Sequence, residues 1–284
     1  MIMKAHKPTT PGRRGMTRIS YKSALSGDKP LKSLTKGFKR GTGRNNAGRI
    51  TTRHKGGGVK RSYRLVDFKY NKRDIPAKIE TIEYDPNRSA FIGVALYTDG
   101  ERRYVVVSGA TKVGDTFIVS DSDDVKVRLG NRLPLGKMAV GTVVYNVEVK
   151  PEGGAKLARS AGNYIEVIAH DAGYTHIKMP SSEVRKVLST CWATVGEVSN
   201  SEHRLVNIGK AGRKRHMGIR PTVRGSAMNA VDHPYGGGEG KAGRGRRRAI
   251  SKWGKPTGIG QKSRKPKKYS NKLIVKRRNV GKRK

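Results

Sequence analysis

The stretch AKIETIEYDPNRSAFIGVALYTDGERRYVVV, residues 77–107, decides the fold class of this chain. Its runs rich in Val, Ile and Tyr are separated by Asp85-Pro86-Asn87-Arg88 and by Asp99-Gly100. Short runs of this composition between turn residues are typical of β-strands, and Asp-Gly between two of them is a strong hairpin signal. We therefore predict three successive strands here.

Similar runs continue towards the C-terminus. DTFIVS (115–120) completes a first group, and a stretch with Gly and Pro around residues 130–136 separates it from a second. The second group reads MAVGTVVYNVEV (138–149), NYIEVIAH (163–170), YTHIKMP (174–180), SEVRKVL (182–188) and TCWATVGEV (190–198). Each group has about five candidate strands in about 65 residues, which is typical of small Greek-key or SH3-like barrels. We predict an all-β fold with two small barrels in tandem.

The charge is concentrated at the two ends of the chain. Of the net +41, residues 1–60 carry +15 and residues 203–284 carry +24, whereas residues 61–202 carry only +2. Such ends repel themselves unless a polyanion neutralises them, and a phosphate backbone can do so over that length. They are also rich in Gly and poor in large apolar residues. We expect the ends to become ordered on nucleic acid and the centre to fold alone.

Cysteine content and the first residues indicate the cellular compartment. Cys191 is the single cysteine, so an intrachain disulfide and a multi-cysteine zinc site are excluded, which suits a reducing cytoplasm. The start, MIMKAHKPTTPGRRG, has no apolar core of a signal peptide, and the chain has no apolar run long enough to span a membrane. An organellar transit peptide is the alternative, but Pro8 and Pro11 oppose the amphipathic helix that it requires.

Signatures of common enzyme classes are missing. G-x-x-x-x-G-K-[ST], H-E-x-x-H and G-x-S-x-G do not occur. His170 and His176 flank a turn, and no third candidate ligand lies near them in sequence. We therefore interpret them as polar residues of a loop rather than as a metal site. Cys191 and Trp192 lie near the end of the second group of strands, and we interpret both as buried side chains that pack in the core. We expect no enzymatic activity, no cofactor and no metal.

Both ends have the composition of a nucleic-acid contact surface. GRNNAGRITTRHKGGG (43–58) and GKAGRKRHMGIRPTVRGSAMNAVDHPYGGGEG (209–240) mix basic residues with Asn, Thr and Gly. Arg and Lys neutralise phosphates, Asn and Thr bond sugars and base edges, and Gly allows close backbone approach. Trp253, between Lys252 and Lys255, can stack on a base. The alternative is a flexible basic tail with no defined path. The predicted RNA-binding residues are Arg13, Arg14, Arg44, Asn45, Asn46, Arg49, Arg53, His54, Lys55, Lys210, Arg213, Lys214, Arg215, Arg220, Arg224, Asn229, His233, Arg244 and Trp253.

His233 is the one candidate for chemistry. It lies beside Asp232 and before Pro234 in a segment with few other acids. Sequence adjacency alone does not make a catalytic dyad. A structural or RNA-bonded imidazole is the favoured interpretation, and a general acid or base is the alternative.

Eight motifs identify a family. They are KPTTPGRRG (7–15), GRNNAGRITTRHKGGG (43–58), YRLVDFKYNK (63–72), EYDPNRSAFI (83–92), DGERRYV (99–105), LARSAGNY (157–164), ATVGEVSN (193–200) and above all RPTVRGSAMNAVDHPYGGGEG (220–240). Through them the chain closely resembles the bacterial-type large-subunit ribosomal protein two (L-two) family, almost end to end. The resemblance implies an OB-fold barrel (61–128), an SH3-like barrel (129–202) and basic RNA-binding extensions (1–60 and 203–284).

The resemblance also implies a function. Family members are structural constituents of the large ribosomal subunit and primary rRNA-binding proteins, which support subunit assembly, subunit association and organisation near the peptidyl-transferase region. The implied partners are large-subunit rRNA, small-subunit RNA at the subunit interface and neighbouring ribosomal proteins, with no membrane. The implied location is the cytoplasmic ribosome.

His233 matches the family's histidine long discussed for peptidyl transfer. Two departures from the family pattern concern the same region. Tyr235 stands where bacterial members usually carry a second histidine, and Lys252-Trp253-Gly254 replaces a Pro-Trp-Gly segment. A DNA-compacting protein and an enzyme that uses His233 are the rival functions.

Overall fold

The computed structural model describes residues 2–27, 29–37, 40–240, 243, 245–258 and 264–278. In chain order, the strands of the described part are β1 Ile2–Ala5, β2 Thr17–Ser20, β3 Thr35–Gly37, β4 Ser62–Arg64, β5 Ala77–Glu83, β6 Ile92–Tyr97, β7 Arg102–Val106, β8 Thr116–Phe117, β9 Arg132–Pro134, β10 Val143–Tyr145, β11 Val147–Glu148, β12 Ala155–Leu157, β13 Ile165–Asp171, β14 Tyr174–Lys178, β15 Val184–Leu188, β16 Trp192–Val195 and β17 Ile274–Lys276. Its α-helices are α1 Pro11–Arg14 and α2 Ala211–His216. Its short 3-10 helices are Lys32–Leu34, Leu135–Lys137, Ser201–Leu205, Gly225–Ala227 and Tyr269–Leu273.

Residues 77–107 form three strands of an antiparallel four-stranded sheet, which has the order β7-β6-β5-β8. Strands β6 and β7 pair from Ile92–Val106 to Leu96–Arg102, and the Asp99-Gly100 turn joins them. The predicted hairpin is confirmed. DTFIVS is a strand only at Thr116 and Phe117, because Ile118 N–H instead donates to the side-chain Oδ1 of Asn131.

The second group of predicted strands forms most of a seven-stranded antiparallel sheet, with the order β17-β15-β14-β13-β10-β16-β9. Strand β9 lies inside the stretch that the sequence indicated as a separator. Pro134 is tolerated there because β9 is an edge strand, where a missing N–H costs no ladder bond. At the opposite edge, β17 from the C-terminal extension pairs with β15.

The prediction of an all-β chain built from two small barrels is confirmed. The four-stranded and seven-stranded sheets curl, and the helices of the described part are short. Each sheet encloses its own cluster of buried apolar side chains. The predicted boundaries at residues 60, 128 and 202 stay a prediction. No helix in the described ranges is long and apolar enough to cross a membrane.

The chain divides into two compact units. The first comprises Met1–Arg40, Lys60–Lys210 and Lys272–Lys284, and the second comprises Gly41–Val59 and Ala211–Asn271. In the first unit, the N-terminal hairpin of β1 and β2 bonds the stretch that follows the barrels: Thr17 N–H donates to Asn207 C=O at 3.1 Å. Parts of both basic ends therefore belong to the unit that contains the barrels.

Cys191 and Trp192 are buried, as predicted. Cys191 is fully enclosed in the second cluster, and burial raises the pKa of its thiol to about 12. Trp192 packs into the first cluster, which also contains Ala155 and Tyr70.

His170 lies between Met138 C=O, 2.8 Å from Nε2, and the Thr175 hydroxyl, 3.0 Å from Nδ1. Both ring nitrogens are thus used inside the second barrel. Among the described residues, no set of three His, Cys, Asp or Glu side chains can hold a metal ion.

A buried ion pair joins the two apolar clusters. The side chains of Arg132 and Glu148 are 1% and 2% exposed, and Nη2 lies 3.0 Å from Oε1. Arg132 Nη1 also donates to Asn146 C=O at 2.8 Å, and its guanidinium lies 4.5 Å from the centre of the Tyr70 ring. The pair thereby fastens β9 and β11 of the second group to Tyr70 in the first cluster. Burial raises the pKa of Tyr70 to about 12.

We predict that Glu148→Ala destabilises the full-length protein by about 3–5 kcal/mol, because it leaves the Arg132 charge buried without its partner. The free energy of unfolding from denaturant titration measures the effect. Glu152→Ala is the matched control, since it breaks the exposed Arg73–Glu152 pair and should cost less than about 1 kcal/mol. An equal loss in both variants would contradict the prediction.

Candidate nucleic-acid interface

The second unit carries most of the predicted RNA-binding residues. Its two segments contain only two acids, Asp232 and Glu239, and many Arg and Lys residues. None of the described apolar side chains in this unit is buried; Ile50, Met217, Ile219 and Val223 are all exposed. Backbone and polar bonds, rather than an apolar core, therefore hold this unit together.

The N-terminal segment of the unit closes into a compact loop. Gly43 C=O accepts from the N–H groups of Thr51 and Thr52, at 2.8 and 3.0 Å. Asn45 N–H donates to Arg49 C=O at 3.0 Å, and Arg49 N–H returns a bond to Asn45 Oδ1 at 2.8 Å. Asn45, which the sequence indicated as an RNA contact, thus also shapes the loop. The loop leaves Arg44, Arg49 and Arg53 exposed.

Helix α2 presents a cluster of cations at the start of the C-terminal segment. Its last turn holds Arg213, Lys214, Arg215 and His216. The helix ends in a Schellman motif, in which Ile219 N–H donates to Lys214 C=O and Gly218 N–H donates to Arg215 C=O. The Nη1 atoms of Arg213 and Arg215 are buried and have no acceptor among the described residues. The other N–H groups of each half-buried guanidinium, on Nε and Nη2, can donate charge-assisted hydrogen bonds to an anionic oxygen.

Residues 54–59 and 216–221 pair with each other, and we call this pairing the seam. Gly56 N–H donates to Gly218 C=O at 3.0 Å, Val59 N–H to His216 C=O at 2.9 Å and Arg220 N–H to His54 C=O at 3.0 Å. His54 Nδ1 lies 3.2 Å from Pro221 C=O, which can only accept, so this nitrogen is the donor. The seam joins the two basic ends of the chain within one unit.

His233 lies in a tightly folded loop. Tyr235 N–H donates to His233 Nδ1 at 3.1 Å, so the proton of the neutral ring is on Nε2. A Cβ atom on Gly225 would lie 2.4 Å from Nδ1, so only glycine fits beneath the imidazole. The backbone N–H groups of Asp232 and His233 both donate to Asn229 C=O. The imidazole is thus part of the framework of the loop.

Tyr235 and Trp253 connect this loop and the N-terminal segment to the stretch around residue 250. The Tyr235 hydroxyl accepts from Ile250 N–H at 2.6 Å and donates to Arg248 C=O at 3.4 Å. Trp253 is 68% exposed, and the guanidinium of Arg53 lies 5.5 Å from its ring centre. An exposed indole flanked by cations suits stacking on a nucleobase.

Most of the predicted contact residues are exposed. His54, Arg213, Arg215 and His233 are half-buried, and the other described members of the set are exposed. Arg13 and Arg14 form the end of α1 and, with Lys210, belong to the first unit. Arg244 lies outside the described residues. The structure brings together the described members in 44–55, those in 213–233 and Trp253, all of which lie in the second unit.

Sequence reasoning missed two residues that shape this interface, Tyr235 and Gly58. Tyr235 was noted only as a departure from the family pattern, and no local signal gives the partners of its hydroxyl. Gly58 belongs to a run of three glycines, which indicated close approach by RNA; the structure instead brings Gly218 of the same chain against it. The glycine run indicates that another group approaches the backbone closely, but it does not indicate that this group is Gly218 of the same chain.

Two protein-family models match the chain. The model described as Ribosomal Proteins L2, RNA binding N-terminal domain matches residues 31–120, and the model described as Ribosomal Proteins L2, C-terminal domain matches residues 128–254. The matches cover both barrels, the loop of residues 43–58 and the His233 segment. On these matches the chain belongs to the ribosomal protein L2 family, the RNA-binding L2 proteins of the large ribosomal subunit.

Proposed function

We propose that this chain is a primary rRNA-binding protein that supports assembly of the large subunit, its association with the small subunit and organisation near the peptidyl-transferase region. Family membership gives the coarser function, a ribosome-associated, cytoplasmic protein with rRNA and ribosomal proteins as partners. The finer role rests on the resemblance of the 220–240 segment and on the chemistry of the second unit. Contact with small-subunit RNA is part of the proposal.

The observation that carries the proposal is the cluster of Arg213, Lys214 and Arg215 in the last turn of α2. Cations held this close together repel one another, which costs free energy unless anions neutralise them. The surrounding unit is strongly cationic and has only two acids, so the protein offers few internal acceptors. Phosphate oxygens of RNA supply both the acceptor and the countercharge.

The proposed role is structural rather than enzymatic. His233 Nδ1 is engaged by Tyr235 N–H, and the ring packs against Gly225. The role that we assign to His233 is to hold the loop in the shape that RNA contacts. The rival function of DNA compaction is disfavoured because this irregular loop surface suits folded RNA better than a uniform duplex.

We predict that Arg213→Gln/Arg215→Gln weakens binding to a large-subunit rRNA fragment and lowers the salt slope by about two, because two phosphate contacts are lost. For the parent, affinity should fall by about 10³- to 10⁵-fold between 50 and 200 mM salt if about ten phosphates are neutralised. Filter binding across a salt series measures both effects.

The control is Arg102→Gln/Lys178→Gln, which removes two exposed, ion-paired cations from the barrels. It should leave the salt slope unchanged. Equal slopes for the two double variants would refute the assignment of the α2 arginines to phosphate. Duplex DNA at matched salt is the competitor that tests the rival function, and preference for it would overturn the proposal.

We predict that assembled particles with His233→Gln form peptide bonds at a rate within about tenfold of the parent, because loss of a proton-transfer group would cost about 10²- to 10⁴-fold. Gln retains an oxygen that can accept from Tyr235 N–H. Single-turnover peptide transfer on particles with verified occupancy gives the rate. His233→Ala should impair assembly more than His233→Gln without slowing particles that do assemble. A hundredfold slower rate in intact His233→Gln particles would revive the catalytic interpretation.

A further inference from the structure

The seam joins segments that are far apart in the chain. His54 and Pro221, which meet across it, are 167 residues apart in sequence. Three backbone hydrogen bonds and an antiparallel bridge between Lys55 and Ile219 connect the two strands of chain. All of these groups belong to the protein, so RNA supplies none of the seam bonds.

Gly58 shows that the chain is adapted to this contact. Its φ is +95°, and a Cβ atom there would lie 2.8 Å from Gly218 N and 2.9 Å from His216 C=O. Distances below 3.0 Å require backbone movement, because these neighbours are main-chain atoms rather than flexible side chains. Any residue other than glycine therefore separates the two sides of the seam.

The seam also brings predicted RNA contacts from both ends into one set. Lys55 lies on the N-terminal side of the seam, and Arg53, directly before it, reaches the Trp253 ring. The α2 cations lie directly before the C-terminal side, where a Cβ atom on Gly57 would be 3.8 Å from Arg215 Nη2. The N-terminal cations and the α2 cations are positioned by each other, because neither segment has a buried apolar side chain among its described residues.

We infer that residues 41–59 and 211–240, together with Trp253, form one composite RNA-binding module whose seam is made before RNA arrives. This deepens the proposed function, on whose RNA-binding part it rests. The pairing changes the expectation that the two basic ends become ordered only on nucleic acid. Ordering half the surface in advance lowers the entropy lost on binding, so breaking the seam weakens RNA affinity even where no RNA contact is removed.

The first test is a disulfide across the seam in the full-length, RNA-free protein. Residues paired by an antiparallel bridge have Cα atoms about 4.5–5.5 Å apart, within the range of a disulfide. Lys55→Cys/Ile219→Cys should therefore cross-link under mild oxidation. Lys55→Cys/Val231→Cys is the control, because Val231 is 99% exposed and lies outside the seam. Peptide mapping by mass spectrometry identifies the bond, and the native Cys191 is buried.

The outcomes of this test separate the seam from RNA binding. We expect the seam pair to cross-link and its oxidised form to bind an rRNA fragment as tightly as its reduced form, or more tightly. Equal cross-linking of the two pairs, or none in the seam pair, would overturn the inference. So would a tenfold weaker affinity of the oxidised form. If the parent protein fails to bind rRNA while the seam still cross-links, the proposed function fails and the pairing stands.

The second test compares Gly58→Ala with Gly48→Ala. Both glycines have positive φ, at +95° and +75°, but a Cβ atom on Gly48 meets nothing within 4 Å. Gly48→Ala is thus the control for backbone strain alone. We expect Gly58→Ala to bind rRNA about tenfold more weakly than Gly48→Ala, because an opened seam must be ordered during binding. Faster hydrogen exchange at Gly56 and Val59 in the RNA-free Gly58→Ala protein should accompany the loss. Equal affinities and equal exchange would contradict the inference.

Discussion

The buried contact between Arg132 and Glu148 constrains the rest of the first unit. Removing two charges from water is costly, and the attraction between them compensates only when the remaining donors and acceptors are satisfied. Here Asn146 C=O, the Thr194 hydroxyl and the face of Tyr70 surround the guanidinium. Thr194 lies on β16, Asn146 lies between β10 and β11, and Tyr70 belongs to the first apolar cluster. The ion pair therefore holds its geometry only when both barrels are packed together, which couples their folding.

The two units are stabilised in different ways, and the difference follows from charge. The barrels have nearly equal numbers of acids and bases and bury Val, Ile and Tyr side chains. The second unit buries no described apolar side chain and has two acids. Its net hydrogen-bond energy is small, since each bond contributes about 0.5–1.5 kcal/mol after the exchange with water. Self-repulsion of its cations opposes the fold, so a bound polyanion stabilises the arrangement that contacts it.

Local patterns predicted the barrels well because strand periodicity and turn residues act over a few positions. The Asp99-Gly100 hairpin, the burial of Cys191 and Trp192 and the basic character of both ends were all accessible from the sequence. The edge strands β9 and β17 could not be predicted from the sequence. Pro134 argues against a strand at β9, and Ile274–Lys276, which forms β17, is a short run in a basic tail. The seam was inaccessible for another reason. Backbone hydrogen bonds between distant segments leave little mark in the sequence beyond permissive glycines, and a glycine does not identify what approaches it.

The geometry of the His233 loop bears on the chemistry that this histidine can perform. A general base needs an available lone pair, but in the neutral ring the lone pair is on Nδ1, where Tyr235 N–H occupies it. A general acid needs the imidazolium, whose second proton would point from Nδ1 at that same N–H. Either role would therefore require the bond to break and the loop to open. Gly225 beneath the ring and Asn229 C=O, which accepts from two successive N–H groups, oppose that opening. The same bonds that make His233 a good structural element make it a poor proton carrier.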